Sequence, residues 1–267
     1  DPVGEDADKA KAGWHEAHAG VVGIPVAAEA QRKPKYRRKD RSPQRAKRTK
    51  ADSHSDVKLM EQSYVATYEG RENHLAKLRI EAIRRGMTDA TELALLGDGA
   101  DWVQKRSREY FPGALHIVDW QHGVSRLATA RDMAYELAAP SGRTWFERQE
   151  TNLWNGNVMA VIHSLNYLAR TASPGRAKEL RIHAAYFRER THMMDYPAYR
   201  KAGWPIGSGA VESACRHVVQ ERCKCSGMRW STEGLRNVLA VRTTILNERF
   251  DELWKAHTSR AIAKKAA

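Results

Sequence analysis

Two stretches of sequence decide the fold: Glu92–Gly99, which reads ELALLGDG, and Ala114–Asp119, which reads ALHIVD. Each contains a short apolar run bounded by turn residues, a pattern typical of a buried strand. An aspartate directly follows each run, Asp98 in the first and Asp119 in the second. Because ligands and metals bind beyond the carboxyl ends of strands in open α/β sheets, the two stretches predict a site at that edge.

The residues before these stretches predict two more strands and a helix. Trp14–Val26 and Ser63–Tyr68 have the β-branched and aromatic content of strands. Between Glu72 and Arg85 the apolar residues recur at helical spacing, and Gly86 stands where a helix end is expected. This alternation of strands and helices is typical of the α/β class.

The second half of the chain has a different pattern. From about Gly123 to Lys201 the apolar residues keep helical spacing, and no strand pattern interrupts them, which predicts an all-α insertion. Pro205 and the turn Gly207–Gly209 then break the chain, and a helix is expected from about Ala210. Glu212 falls in the first turn of that helix, where the helix dipole favours a carboxylate.

The positive charge is concentrated in one segment. The formal net charge is +13, from 45 Lys and Arg against 32 Asp and Glu. Residues 31–50, the basic tract, hold eleven basic residues and one acid, so the other 247 residues carry only +3. With two prolines and almost no apolar residue, the tract predicts a flexible arm. It is either a solvated linker or an arm that contacts DNA phosphates, and we favour the arm because counterion release rewards this density of cations. The contacts we assign to it are Arg37, Arg38, Lys39 and Arg41.

Composition excludes a disordered chain and a membrane span. Hydrophobic residues make up 42% of the chain and charged residues 29%, which is ordinary globular composition. The longest apolar runs, such as Val158–Ile162, fall far short of the ~20 residues that a bilayer span needs, and no secretory leader opens the chain. Cys215, Cys223 and Cys225 lack zinc-knuckle spacing, so we expect free thiols in a reducing, cytoplasmic compartment.

Three carboxylates form a candidate metal site. Asp98 and Asp119 follow two strands, and Glu212 begins a helix. Metal-dependent phosphodiester chemistry needs carboxylates that converge from different elements to hold two Mg²⁺ about 3.5–4 Å apart. Taken singly, each residue has an ordinary alternative, since strand-end aspartates form turns and early-helix glutamates compensate the dipole.

Four motifs, in order, carry a resemblance to a family. The chain resembles the DDE transposases of bacterial insertion sequences of the Kra type, relatives of the Mutator-like elements, from Trp14 to about Trp254. The motifs are LGDGADW at Leu96–Trp102, FPGA leading to IVDWQH at Phe111–His122, WPIGSGAVE at Trp204–Glu212 and SGMRW at Ser226–Trp230.

The resemblance implies an RNase H-like core with a mixed sheet and an all-α insertion before the last catalytic helix. The implied domains are residues 1–122 for the first part of the core, 123–201 for the insertion, and 202–267 for the acidic helix and the C-terminal helices. The implied activity is strand cleavage and strand transfer on DNA with two Mg²⁺ or Mn²⁺. The implied partners are transposon ends and target DNA, bound near the bacterial nucleoid by a homodimer or a larger assembly on paired ends.

The family's catalytic triad transfers unevenly. Glu212 matches its last member and Asp98 its middle member, and both are expected to bind metal. Asp119 belongs to an Asp-x-x-His element that ends at His122, and either flanks the centre or supplies the third carboxylate. The family's first aspartate precedes a glycine, whereas Asp1 precedes Pro2, so Asp1 is either that aspartate in an N-terminally truncated chain or a frayed terminus.

Two rival functions remain open. A decayed or repurposed transposase would bind DNA through the basic tract without chemistry, and an RNase H-like repair nuclease would cut DNA without joining ends. Arg216 either pairs with Glu212, one turn away, or contacts DNA. Arg222, Lys224 and Arg229 are expected to join it in a DNA-facing patch.

Overall fold

The computed structural model describes residues 16–26, 57–90, 92–136 and 139–266, with side chains as far as residue 260. Asp1 and the basic tract, including Arg37, Arg38, Lys39 and Arg41, lie outside the described residues. The chain divides into two compact units. Of the described residues, 16–22, 63–81 and 211–266 belong to the smaller unit, and those within 23–62 and 82–210 belong to the larger.

The first three elements follow the sequence prediction. Strands β1 (His18–Pro25) and β2 (Leu59–Thr67) pair with each other, and helix α1 covers Arg71–Arg84. Gly86 has a φ of +86°, which an L side chain rarely adopts, and its N–H donates to the carbonyl of Ile83. The expected helix end at this glycine is therefore confirmed.

The two stretches that decide the fold form a strand–helix–strand unit. Strand β3 (Ala94–Gly97), helix α2 (Asp101–Tyr110) and strand β4 (Leu115–Val118) follow one another, and β3 and β4 pair in parallel. The mixed α/β class is thus confirmed. The strands that the structure describes form two separate two-stranded sheets, β1 with β2 and β3 with β4.

Helices follow in unbroken succession, as predicted. They are α3 (Trp120–Ala134), α4 (Pro140–Trp154), α5 (Val158–Thr171), α6 (Pro174–Glu189), a 3₁₀ turn (Thr191–Met193) and α7 (Tyr196–Lys201). All of them lie in the larger unit together with β3 and β4. The domain boundaries at 122 and 201 remain a prediction.

Large apolar side chains of these helices form the core of the larger unit. Trp120 is almost completely buried, and its ring meets those of Trp154 and Tyr196 edge to face, with both pairs of centroids 5.1 Å apart. Ile117 and Val118 of β4 are also buried in this core. The helices therefore cover the strand that ends at Asp119.

The last helices belong mainly to the smaller unit. They are α8 (Gly209–Ala214), a π-helix (Cys215–Gln220), α9 (Glu221–Cys223), α10 (Thr232–Leu246) and α11 (Phe250–Ala266). Val218 and Leu239 pack with Ala66 of β2. Asn247 binds the backbone of the same strand, because its side chain accepts from the N–H of Tyr64 at 2.7 Å and donates to the carbonyl of Tyr64 at 3.0 Å. None of the helices within the described ranges is long and apolar enough to cross a membrane.

His74 on α1 is expected to make stability depend on pH. Burial, and then the charges of His18 and Lys77, lower the pKa of His74 from 6.5 to about 4. Below pH 6.5 the imidazole of His74 is protonated in the unfolded chain but not in the folded chain. The free energy of unfolding is therefore highest above pH 6.5 and decreases as the pH falls toward 4. Between pH 7 and pH 5 the free energy of unfolding should fall by about 2 kcal/mol through this residue.

Urea unfolding of wild type and His74→Leu at both pH values measures this contribution, and the variant should lose about 2 kcal/mol less than wild type. His257→Gln, which changes an exposed histidine of the same unit, should keep the full loss. An identical loss in wild type and His74→Leu would contradict the prediction.

Candidate functional site

Asp98 and Asp119 lie at the same edge of the β3–β4 pair. Gly97 and Val118 are register partners, so the aspartate that follows each lies at the carboxyl end of a parallel strand. The N–H of Asp119 extends the ladder by donating to the carbonyl of Gly97 at 2.7 Å. The predicted edge is therefore present.

The side chain of Asp98 is open to solvent. One carboxylate oxygen, Oδ1, accepts from the N–H of Ala100 at 2.9 Å, which closes a local turn at Asp98–Ala100, the Asp98 loop. Gly99 within it has a φ of +74°, and a Cβ there would come within 3.1 Å of Arg190, Tyr186 and Val118. Only glycine fits this position, because both the backbone conformation and the space exclude a side chain.

Two residues at the carboxyl end of helix α6 bind the Asp98 loop. The Tyr186 hydroxyl donates to the carbonyl of Asp98 at 2.9 Å. The buried guanidinium of Arg190 donates to the carbonyl of Gly99 and pairs with the carboxylate of Asp101. Sequence reasoning missed both residues, since a tyrosine and an arginine four positions apart are ordinary on a helix.

Asp119 is a buried residue with both carboxylate oxygens bonded. Oδ1 accepts from the N–H of His122 at 2.7 Å and caps helix α3, and Oδ2 accepts from the N–H of Ser208 at 2.6 Å. Burial raises the pKa of Asp119, and the two N–H donors oppose that shift. The arrangement ties the end of β4 to the Gly207–Gly209 turn across 89 positions of sequence.

Glu212 is exposed in the first turn of α8, as predicted, and belongs to the smaller unit. A π-helix follows it, and Arg216 in that π-helix makes an ion pair with Glu221 at 3.3 Å. The i, i+5 spacing of this pair matches the wider turn of a π-helix. His217 also contacts Glu221, at 3.1 Å.

The remaining predicted DNA contacts are on the surface of the smaller unit. Arg222, Lys224 and Arg229 are all exposed. Trp230 beside them is also exposed, and its indole N–H donates to the carbonyl of Cys223 at 3.3 Å. The structure thus leaves these three cations accessible to a polyanion.

The three cysteines are free thiols. Burial raises the pKa of the Cys215 thiol, and the nearby charge of Glu212 adds to the shift. Burial likewise raises the pKa of Cys223. Both thiols therefore stay protonated at neutral pH.

The carboxylates differ in how well they suit a metal ion. Asp98 offers exposed carboxylate oxygens, the ligand type that Mg²⁺ prefers. Asp119 fits less well, because each of its oxygens already accepts from a backbone N–H. Within the described part of the chain, no three His, Cys, Asp or Glu side chains are grouped as a ready cation site.

A scan against protein-family models and searches of curated proteins and of solved structures found no match to this chain. Its own residues and geometry therefore carry the functional proposal.

Proposed function

We propose that the protein is a DDE transposase of a bacterial insertion sequence, with an RNase H-like core, that cuts and joins DNA with Mg²⁺ or Mn²⁺. One observation carries the proposal: the exposed carboxylate of Asp98 lies at the carboxyl edge of a parallel strand pair, where open α/β folds place their ligands. The four motifs quoted above and the charge of the basic tract support it.

The carboxylates have separate roles in this proposal. Asp98 and Glu212 bind metal in this proposal, because they match the middle and last members of the family's triad and both carboxylates are exposed. Asp119 positions the site, since its carboxylate joins the end of β4 to the turn that precedes α8. Asp1, outside the described residues, is the sequence candidate for the third carboxylate.

The chemistry is direct phosphoryl transfer without a covalent protein–DNA intermediate. A bound pair of divalent cations supplies charge neutralisation to the attacking and leaving oxygens. Water first attacks the phosphodiester at a transposon end, and the freed 3′-OH then attacks target DNA. The charge outside the basic tract is nearly balanced, so an acidic metal site can lie beside DNA while the tract attracts the DNA. In this proposal the enzyme acts at the nucleoid, as a homodimer on paired ends.

Strand transfer tests the proposal. Wild type, incubated with donor ends, a supercoiled plasmid and Mn²⁺, should give joined products. Asp98→Ala with Glu212→Ala should lower the rate at least about a thousandfold, because groups that act as a unit fail together. Asp89→Ala with Glu233→Ala is the matched control, since it removes an exposed turn aspartate and an exposed first-turn glutamate.

The products separate the rival functions. Equal activity in the Asp98, Glu212 double variant and the wild type would refute the proposed site. DNA binding without any metal-dependent product would favour a protein that only binds DNA. Cleavage without joining would favour an RNase H-like nuclease.

A further inference from the structure

Two arginines stack on the tyrosine that holds the Asp98 loop. The guanidinium carbon of Arg126 lies 3.9 Å from the centre of the Tyr186 ring, and that of Arg190 lies 4.3 Å from it. Arg126 projects from α3, whereas Tyr186 belongs to α6 and Arg190 directly follows that helix. Two guanidinium groups therefore stack on the ring whose hydroxyl binds the backbone carbonyl of Asp98.

The two arginines differ in how their donors are used. Arg190 is buried and donates to the carbonyls of Gly99 and Tyr186 and to the carboxylates of Asp101 and Glu189. These bonds explain Arg190 as a structural residue that fixes the loop. The Nε of Arg126 is buried and has no hydrogen-bond partner among the described residues, although the side chain as a whole is only half-buried.

A second buried nitrogen without a partner lies near Arg126. Nδ1 of His183 on α6 makes no hydrogen bond within the described part of the chain. Burial, and next the charge of Arg126, lower the pKa of His183, while the charge of Glu179 opposes the shift. His122, one helical turn before Arg126, places its ring 6.5 Å from that of Tyr186. Buried polar nitrogens without a partner are costly, so a rotation of the half-exposed Arg126 side chain onto an anion would remove the penalty at its Nε.

We propose that Arg126 binds a phosphate of the DNA strand that is cut beside Asp98, with His183 and His122 lining the same position. The inference rests on the proposed function for its substrate, DNA. A guanidinium matches phosphate geometry with paired N–H donors, and Arg126 stacks on Tyr186, the residue that binds the backbone carbonyl of Asp98. The helices between β4 and Lys201 thus contribute a DNA contact in addition to the core.

DNA binding without catalysis tests the contact. The fluorescence anisotropy of a labelled 20-bp duplex is measured over a salt series, with Ca²⁺ in place of Mn²⁺. Arg126→Gln and Arg126→Met should each lower the slope of log Kd against log salt by about 0.9, the value of one lost phosphate contact. Arg126→Lys should keep the wild-type slope, because it keeps the charge. Arg170→Gln, which removes an arginine that stacks on Tyr167 in α5, should change nothing.

The outcomes separate this inference from the proposed function. An unchanged slope in a neutral Arg126 variant whose circular dichroism matches wild type would overturn the phosphate contact, even if the wild type cleaves DNA. If the neutral Arg126 variants show a lowered slope but the wild-type protein does not cleave DNA, the phosphate contact is upheld and the transposase activity is overturned. A wild-type slope in Arg126→Lys upholds an electrostatic contact. If the slope of Arg126→Lys is as low as that of Arg126→Gln, the electrostatic contact is overturned.

Discussion

Asp119→Ala is expected to destabilise the protein by about 2–4 kcal/mol. The substitution removes the cap of α3, which contributes about 0.5–2 kcal/mol in comparable helices. It also leaves the Ser208 N–H without its acceptor, at a cost of about 1–3 kcal/mol. The effect is large because one buried carboxylate serves two backbone groups that are far apart in sequence.

Urea unfolding measures the loss, and two variants calibrate it. Asp98→Ala should cost less than about 1 kcal/mol, because the side chain is exposed and makes one local bond to Ala100. Asp119→Asn should recover part of the loss, since an amide oxygen still caps α3 while its NH₂ group cannot accept from Ser208. If Asp119→Ala were as stable as Asp98→Ala, the positioning role of Asp119 would be wrong.

Arg249→Leu is expected to cost about 3 kcal/mol. Arg249, between α10 and α11, pairs with Glu81 of α1 through two parallel bonds of 2.7 and 2.8 Å. The Glu81 side chain is only 9% exposed, so removal of the arginine leaves a buried carboxylate without its principal counter-charge. Hydrogen bonding to Glu81 also raises the pKa of Arg249, so the guanidinium of Arg249 stays positively charged at any ordinary pH.

The double variant Glu81→Leu with Arg249→Leu is the decisive control. Because apolar residues can replace both partners of a buried ion pair at little cost, the double variant should recover most of the loss of Arg249→Leu. Arg236→Leu breaks the ion pair between the exposed Arg236 and Glu69, and it should lower the free energy of unfolding by less than about 1 kcal/mol. Losses that simply add in the double variant would show that the two side chains do not act as a pair.

Local patterns predicted the elements well. The end of α1 at Gly86, the strands before Asp98 and Asp119, and the helices from Trp120 to Lys201 all appear where turn residues and apolar spacing placed them. Each depends on residues within a few positions of one another, which is the range over which backbone preferences act. The π-helix after Glu212 was not predicted, because its residues also suit an α-helix.

The candidate site was only partly predictable. Sequence placed Asp98 and Asp119 at one strand edge but did not separate the exposed carboxylate from the buried one. The carboxylate of Asp119 is bound by Ser208, 89 positions away in sequence, and the backbone of Asp98 is bound by Tyr186, 88 positions away. No local pattern singles out Arg126 or Arg190, because their shared contact, the Tyr186 ring, forms only in the folded chain.

Local sequence patterns predicted the order of the strands and helices apart from the π-helix, the carboxylates at strand ends, and the concentration of charge in the basic tract. These properties follow from composition and from interactions between near neighbours along the chain. The packing of the folded chain sets which carboxylate is exposed, which arginine has a buried Nε without a partner among the described residues, and which residues bind the Asp98 loop. Those outcomes depend on contacts between residues far apart in sequence, because burial and hydrogen-bond partners exist only once those residues pack together.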